Sequence, residues 1–163
     1  VMIEPMTDVD GPAVLEIYGQ GIAAGNATFE TVVPEWRAWH ASHRRDCRFV
    51  ARLDQRVVGW TAVARYSSRE AYAGVAWESI YVAAAARGRG VGLALLQTLI
   101  PATEAVGIWT LIAGVQANNP ASIALHERAG FRRIGVQERI GRDPTGQWRD
   151  VLLFERRSPT VGG

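Results

Sequence analysis

The stretch Ala86-Arg87-Gly88-Arg89-Gly90-Val91-Gly92-Leu93 decides how the rest of the chain is organised. The β-branched and aromatic residues of Glu78-Ser79-Ile80-Tyr81-Val82 precede it and predict a strand, whereas Leu93-Ala94-Leu95-Leu96-Gln97 favours a helix. The glycines of this stretch have no Cβ atom, which lets the main chain turn tightly or lie against a ligand. The sequence therefore predicts a strand, a glycine-rich turn and a helix, in that order.

Such a turn is a candidate binding site for a phosphate or pyrophosphate. The first amides of a helix have no intrahelical partner, and that end of the helix carries a partial positive charge. Arg87 and Arg89 add two cations beside these amides. A plain turn without a ligand is the alternative that these residues leave open.

Two common phosphate-binding patterns do not match this turn. A P-loop needs Lys-Ser or Lys-Thr after its last glycine, and the chain contains no lysine, which also excludes Schiff-base chemistry. The dinucleotide fingerprint Gly-x-Gly-x-x-Gly differs from the spacing of Gly88, Gly90 and Gly92, and no acidic residue closes the strand predicted at residues 109–115.

Length and composition predict one domain over residues 1–163, with a frayed tail at 158–163. No apolar run approaches the ~20 residues that span a bilayer, and the first residues lack the pattern of a signal peptide. The single cysteine, Cys47, is compatible with a reducing compartment. We therefore expect a cytoplasmic protein without a membrane partner.

The charge pattern argues against nucleic-acid binding. The sequence pI is about 9.1, but the arginines are scattered and adjoin only in pairs such as Arg44-Arg45. His40 and His43 are expected to be surface or packing residues, because no third ligand lies near them for a metal site.

The first half of the chain alternates strand and helix patterns. A strand at residues 2–6 precedes a helix with Asp8 as its expected N-cap, and Pro34 suits the first turn of a second helix. Two strands then form a hairpin around Asp54-Gln55, and the strand before the glycine turn follows.

The second half begins with the helix after the glycine turn, which the pattern extends to about Val106. Pro101 lies inside this pattern and should kink or end the helix there. An apolar strand at residues 108–115 follows, Asn119-Pro120 opens a helix that ends at Gly130, and two final strands form a hairpin. The resulting order β-α-α-β-β-β-α-β-α-β-β predicts a mixed α/β sheet.

Three features together resemble the GCN5-related N-acetyltransferase (GNAT) superfamily. The pattern Arg87-x-x-Gly90-x-Gly92 after a strand ending in Tyr81-Val82 resembles its acyl-CoA pyrophosphate loop. Residues 119–131, Asn-Pro-Ala-Ser-Ile-Ala-Leu-His-Glu-Arg-Ala-Gly-Phe, resemble the segment in which an Asn caps the helix beside the pantetheine arm. The element order is also that of the family, so the resemblance implies a single mixed, mostly antiparallel sheet flanked by helices.

Three shorter segments resemble one subgroup, the phosphinothricin and methionine sulfoximine N-acetyltransferases. They are Asn26-Ala27-Thr28-Phe29-Glu30, Arg69-Glu70-Ala71-Tyr72 and Gly146-Gln147-Trp148-Arg149-Asp150-Val151. The resemblance implies transfer of an acetyl group from acetyl-CoA to the amino group of a small amino-acid-like substrate, in a homodimer. Another amine, such as a protein N-terminus or a polyamine, and a non-catalytic acyl-CoA-binding module remain the alternatives.

The resemblance also implies roles for individual residues. Phe29 and Trp148 would wall the substrate pocket, and Arg69 and Tyr72 would meet a carboxylate or phosphinate-like group. The residues implied in acetyl-CoA binding are Ile80, Tyr81, Val82, Arg87, Gly88, Arg89, Gly90, Val91, Gly92, Leu93 and Asn119.

The expected chemistry is direct transfer. An α-amino group with a pKa near ~8 is partly unprotonated at neutral pH, so a base needs to supply little. The amide of Val82 or a neighbour is the natural donor to the oxyanion, and Cys47 begins a strand distant from the glycine loop.

The identity of the group that handles protons stays open. The subgroup has a glutamate where this chain has Trp77, and Glu78 comes one residue later. Because side chains alternate along a strand, Glu78 should point away from the face of Trp77, Ser79 and Tyr81 unless a β-bulge intervenes. His126 occupies the place of a tyrosine that protonates the thiolate in many relatives. Glu78, His126 and water are therefore the candidates.

Overall fold

The computed structural model describes residues 1–163 and contains one seven-stranded sheet of spatial order β1-β2-β3-β4-β5-β7-β6. Its strands are β1 (Met2–Pro5), β2 (Phe49–Leu53), β3 (Arg56–Arg65), β4 (Val75–Val82), β5 (Thr110–Gln116), β6 (Arg132–Arg142) and β7 (Trp148–Arg157). Its α-helices are α1 (Gly11–Ala24), α2 (Trp36–Ser42), α3 (Val91–Ala105) and α4 (Pro120–Arg128). The predicted element order is confirmed.

The sheet divides between β4 and β5. This is its one parallel pair, joined only through Val75–Thr110, Ala76–Leu111 and Trp77–Ile112, whereas all other neighbours are antiparallel. β4 stays paired with β3 as far as Val82, so the two parallel strands separate beyond Trp77. The separation leaves a V-shaped gap along one edge of β4, and the mixed, mostly antiparallel sheet agrees with the prediction.

The two faces of the sheet bury different cores. On one face, Leu96 and Leu99 of α3 pack with Leu111 and Phe154 of the sheet. On the other face, α1 and α2 contribute to a cluster of Val14, Ile17, Trp39, Val50, Trp60 and Ala62. None of the α-helices is long and apolar enough to cross a membrane.

The local signal at the turn between β2 and β3 is confirmed, and two other local signals are wrong. Asp54 and Gln55 both have positive φ, of 46° and 68°, as a tight hairpin requires. Asp8 is not a helix cap but begins a 3-10 turn, Asp8–Asp10, in which the Asp10 carboxylate accepts the Thr7 main-chain N–H at 2.9 Å. Pro34 precedes α2 instead of lying in its first turn, because the helix begins at Trp36.

One of the two outcomes expected at Pro101 is excluded, and the expectation for the tail needs correction. α3 continues beyond Pro101 to Ala105, close to the predicted end at Val106, so Pro101 does not end the helix. The buried Thr103 hydroxyl in this last part donates to the Ile100 carbonyl at 2.7 Å. The tail is not frayed, because the buried Ser158 donates its N–H to the Trp109 carbonyl at 2.8 Å. The guanidinium of Arg157 also donates to carbonyls of the last residues.

Candidate functional site

The glycines of the turn before α3 have different structural roles. Gly88 and Gly90 have φ of 73° and 78°, and an added Cβ would have no atom within 4 Å at either position. Conformation alone therefore requires glycine there. At Gly92 a Cβ would lie 2.9 Å from the Leu125 side chain, so this glycine permits α3 to pack closely against α4.

The turn presents unpaired amides at the start of α3. The first intrahelical bond runs from the Ala94 N–H to the Gly90 carbonyl at 3.1 Å, which leaves the N–H groups of Val91, Gly92 and Leu93 without helical partners. The Arg87 guanidinium turns back toward β4 and donates to the Val82 carbonyl at 3.3 Å. Amides, helix dipole and cation together suit an anion.

A cleft of about 530 Å³ connects this turn to the gap in the sheet. All residues predicted to bind acetyl-CoA line it except Arg89, which is exposed beside it. Asn26, Ala27 and Arg128 also line it, and sequence reasoning missed them in this role.

The edge of β4 that faces the gap has free main-chain groups. Hydrogen bonds from Ala83 to the Val58 carbonyl and from Tyr66 to the Val75 carbonyl show that odd-numbered β4 residues bond to β3. Antiparallel pairing alternates, so Ile80 and Val82 direct their N–H and C=O groups the other way, toward the gap. An extended ligand can bind there as an additional strand.

Two asparagines close one side of the cleft. The Asn119 carboxamide accepts the Ser122 N–H at 3.2 Å, which confirms the predicted N-cap of α4, and donates to the Asn26 carbonyl at 3.2 Å. Asn26 in return donates to the Asn118 carbonyl at 3.2 Å. These bonds tie the segment after α1 to the start of α4.

The two protonatable candidates, Glu78 and His126, are hydrogen-bonded to each other. Glu78 Oε2 lies 3.0 Å from His126 Nε2, and each side chain is 2% exposed. His126 Nδ1 lies 2.7 Å from the Ser122 carbonyl, which can only accept, so Nδ1 carries a proton. The contact between Nε2 and the carboxyl group then needs a second proton, which the pair shares.

The surroundings of His126 set its pKa. Burial disfavours the charged ring, but the Glu78 carboxylate and its hydrogen bond outweigh burial, so the pKa is raised above its ordinary value. His126 is therefore held protonated to higher pH than a free histidine.

The strand places Glu78 as its alternation predicts. β4 pairs with β3 without a bulge, so Glu78 points to the α4 face and Trp77 to the opposite face. A polar cavity of about 90 Å³ lies beside the pair in the gap of the sheet, and its lining includes Ser79, Gln116 and Ser122.

Two larger cavities reach Ser79 and Tyr81 on the face of α1 and α2. One of about 440 Å³ has mainly apolar walls, which include Phe29, Trp77, Ile140, Val151 and Leu153. The other, of about 320 Å³, is aromatic and is lined by Tyr18, Trp39, His43, Trp60 and Tyr81 among others. We call the first the acceptor cavity.

Of the four residues predicted to bind substrate, only Phe29 lines the acceptor cavity, where its ring packs beneath Gly141. Tyr72 lies outside, with its ring 5.7 Å from that of Tyr66, which is itself 5.7 Å from Trp77. Arg69 is on the same exposed loop, and Trp148 is half exposed on β7.

Cys47 has no place in this site. Its thiol is buried beneath α3, where Sγ donates to the Ala102 carbonyl at 3.5 Å. Burial raises the pKa of the thiol to about 11, so almost none is thiolate at neutral pH.

Comparison with known proteins identifies the family. Residues 17–131 match the acetyltransferase (GNAT) family. A phosphinothricin N-acetyltransferase of Streptomyces coelicolor is 31% identical over 96% of this chain and 95% of its own length. An L-methionine sulfoximine/L-methionine sulfone acetyltransferase of Pseudomonas paraeruginosa is 32% identical over 90% of this chain and 88% of its own length.

A solved structure of similar fold is also an acetyltransferase. The crystal structure of a phosphinothricin acetyltransferase from Sinorhizobium meliloti in complex with AcCoA has a TM-score of 0.88 and 28% identity, and the match covers 99% of this chain and 90% of that one. The chain therefore belongs to the GNAT family and is an N-acetyltransferase.

Proposed function

We propose that the protein transfers an acetyl group from acetyl-CoA directly to the amino group of a small amino-acid-like substrate, such as phosphinothricin or methionine sulfoximine. The observation that carries this proposal is the gap between β4 and β5, where the anion-binding turn, the free edge of β4 and the Glu78–His126 pair meet. The relatives named above support the substrate class.

In this proposal the cleft binds acetyl-CoA through two polar parts of that molecule, its diphosphate and the amides of its pantetheine arm. The amides of residues 91–93, together with Arg87 and Arg128, bind the diphosphate. The main-chain groups of Ile80 and Val82 pair with the amides of the pantetheine arm, which directs the thioester into the gap.

The reaction needs two proton movements and one donor to the oxyanion. The amine attacks the thioester carbonyl, so a C–N bond forms and the C–S bond breaks. The N–H of Val82 or Ile80, directed into the gap, stabilises the oxyanion. The Glu78–His126 pair supplies a proton to the leaving thiolate and recovers one from the amine, either directly or through water, so its proton count is restored.

We also propose that residues 1–163 act as one domain in a cytoplasmic homodimer, as in the subgroup that the chain resembles. The apolar residues Ile134, Val136 and Ile140 support the dimer, because they are exposed on the edge strand β6.

Two measurements separate this function from a non-catalytic acyl-CoA-binding module. Calorimetry should detect acetyl-CoA binding, and a thiol-release assay should detect CoA in the presence of phosphinothricin, methionine sulfoximine, methionine sulfone or a common amino acid. A protein N-terminal peptide and a polyamine serve as the competing acceptors. Binding without CoA release on any amine would overturn the proposed function.

A further inference from the structure

Gln116 is a buried polar residue with no partner in the protein. It is the last residue of β5 and is 5% exposed, and neither its Oε1 nor its Nε2 atom makes a hydrogen bond. Leaving such a group unpaired in the protein interior is destabilising, because it has lost its hydrogen bonds to water. An amide retained in this state is suited to a polar group that enters from outside.

Gln116 lies where part of a bound substrate would contact it. Its side chain lines both the polar cavity beside Glu78 and His126 and the acceptor cavity. A substrate with its amine at the gap would therefore extend its remaining atoms past Gln116.

The charges of the acceptor cavity restrict what enters. Glu78 is the one charged residue in its lining, Gln137 provides a second amide, and neither an arginine nor a histidine lines it. Arg87 and Arg128 instead line the cleft of about 530 Å³ proposed to hold acetyl-CoA, which we call the donor cleft. An anionic side chain in this cavity would lose water without gaining a cation and would lie near a carboxylate.

We propose that Gln116 selects acceptor amines whose side chain ends in an uncharged group with both a hydrogen-bond donor and an acceptor. A sulfoximine or a primary carboxamide has this chemistry, whereas a phosphinate or carboxylate side chain does not. Nε2 of Gln116 donates to the oxygen of that group and Oε1 accepts from its N–H. The inference rests on the proposed function.

The preference of the unmodified enzyme is the first test. kcat/KM is measured by CoA release for two matched pairs, methionine sulfoximine against phosphinothricin and glutamine against glutamate. We expect the uncharged member to be preferred at least tenfold in each pair. Equal or better turnover of the anionic members would overturn the selection, while leaving acetyl transfer itself established.

The Gln116→Met variant is the second test, because methionine keeps the length of the side chain and removes both polar atoms. The ratio of kcat/KM for methionine sulfoximine to that for norleucine should fall about tenfold, which is the loss of roughly one hydrogen bond. Gln97→Met, on the exposed side of α3, is the matched control and should leave the ratio unchanged.

The outcomes separate the two levels of the proposal. If the ratio of kcat/KM for methionine sulfoximine to that for norleucine is unchanged in Gln116→Met, the amide does not contact the substrate. This result would overturn the inference. If the variant does not fold, the preference of the unmodified enzyme decides. No CoA release with any amine would instead overturn the proposed function, and this inference with it.

Discussion

At the scale of single residues, the site depends on how its polar atoms are paired. Glu78 and His126 are 48 positions apart, yet they bury a shared proton between Oε2 and Nε2. The Ser122 carbonyl fixes which ring nitrogen faces Glu78. This arrangement makes the proposed proton carrier a pair, so changing either member should change the pH dependence of the other.

The Glu78→Gln variant tests that coupling. It removes the charge that raises the pKa of His126 and leaves burial, which lowers it. In the proposed reaction protonated His126 is the acid, so kcat should fall as pH rises through this pKa, and the fall should begin at lower pH in the variant. We expect at least a tenfold loss of kcat at pH 8, measured over a pH series.

The control for this variant is Glu127→Gln. Glu127 neighbours His126 in sequence, but its side chain is 55% exposed and its nearest cation, Arg133, is 3.9 Å away. Its pH profile should match that of the unmodified protein. Identical profiles in Glu78→Gln and the unmodified protein would refute the coupling.

Gly90→Val tests the turn before α3. Gly90 has a φ of 78°, which a β-branched residue rarely adopts, and the new side chain would project into the donor cleft. The Kd for acetyl-CoA, measured by calorimetry, should rise at least tenfold. Gly107→Val is the matched control, since Gly107 has a φ of 84° and equally open space but lies at the far end of α3. Equal affinity in the two variants would contradict the assignment of the turn.

At the scale of secondary structure elements, buried side chains hold the short helix α2 in place. The ring of Trp39 stacks on that of His43, with 4.1 Å between ring centroids. It also stacks on Trp36 and makes an edge-to-face contact with Trp60. The guanidinium of the buried Arg48 donates to the carbonyl of His40 in the last turn of α2 and to the carbonyls of His43 and Arg44, which follow the helix. Arg48 therefore stabilises this seven-residue helix by giving a donor to one of its last carbonyls and by fixing the segment that follows it.

Arg48→Met should therefore destabilise the protein. The substitution removes this donor from the carbonyls of three half-buried residues and should lower the free energy of unfolding by about 2–4 kcal/mol. Thermal and urea denaturation measure the loss. Arg45→Met is the control, because Arg45 is exposed and adjacent. A difference of less than about 0.5 kcal/mol between the variants would contradict this account.

At the scale of the whole molecule, the gap that forms the site also divides the sheet. Three residue pairs join β4 to β5, so the apolar core beneath α3 must hold the two halves together. That core includes Val63 and Ala76 from one half and Leu111 and Phe154 from the other. The same helix therefore provides the unpaired amides at its start and the connection between the halves along its length.

Leu99→Ala should weaken this connection. Leu99 is completely buried in the core between α3 and the sheet. Its truncation should lower the free energy of unfolding, measured with denaturant, by about 3–5 kcal/mol, because apolar burial is lost and a cavity is left behind. Val106→Ala is the control and should cost less than about 1 kcal/mol, because Val106 directly follows α3 and is 44% exposed. Similar losses in both variants would show that the core under α3 does not hold the halves.

The sequence by itself determined the element order, the glycine turn and the faces of β4. These follow from local physics, because strand alternation, positive φ at glycine and helix capping depend on residues close together in the chain. Trp77 and Glu78 therefore point as the pattern predicts, and Asn119 caps α4.

Only the tertiary structure decided which distant residues meet. The pairing of Glu78 with His126, the bonds between Asn26 and the start of α4, and the isolation of Gln116 all depend on where β4 and β5 separate. The one available signal for Gln116 was a polar residue directly after an apolar strand. Contacts between segments 48 or 93 positions apart arise from packing of the whole sheet, which no local pattern of residues specifies.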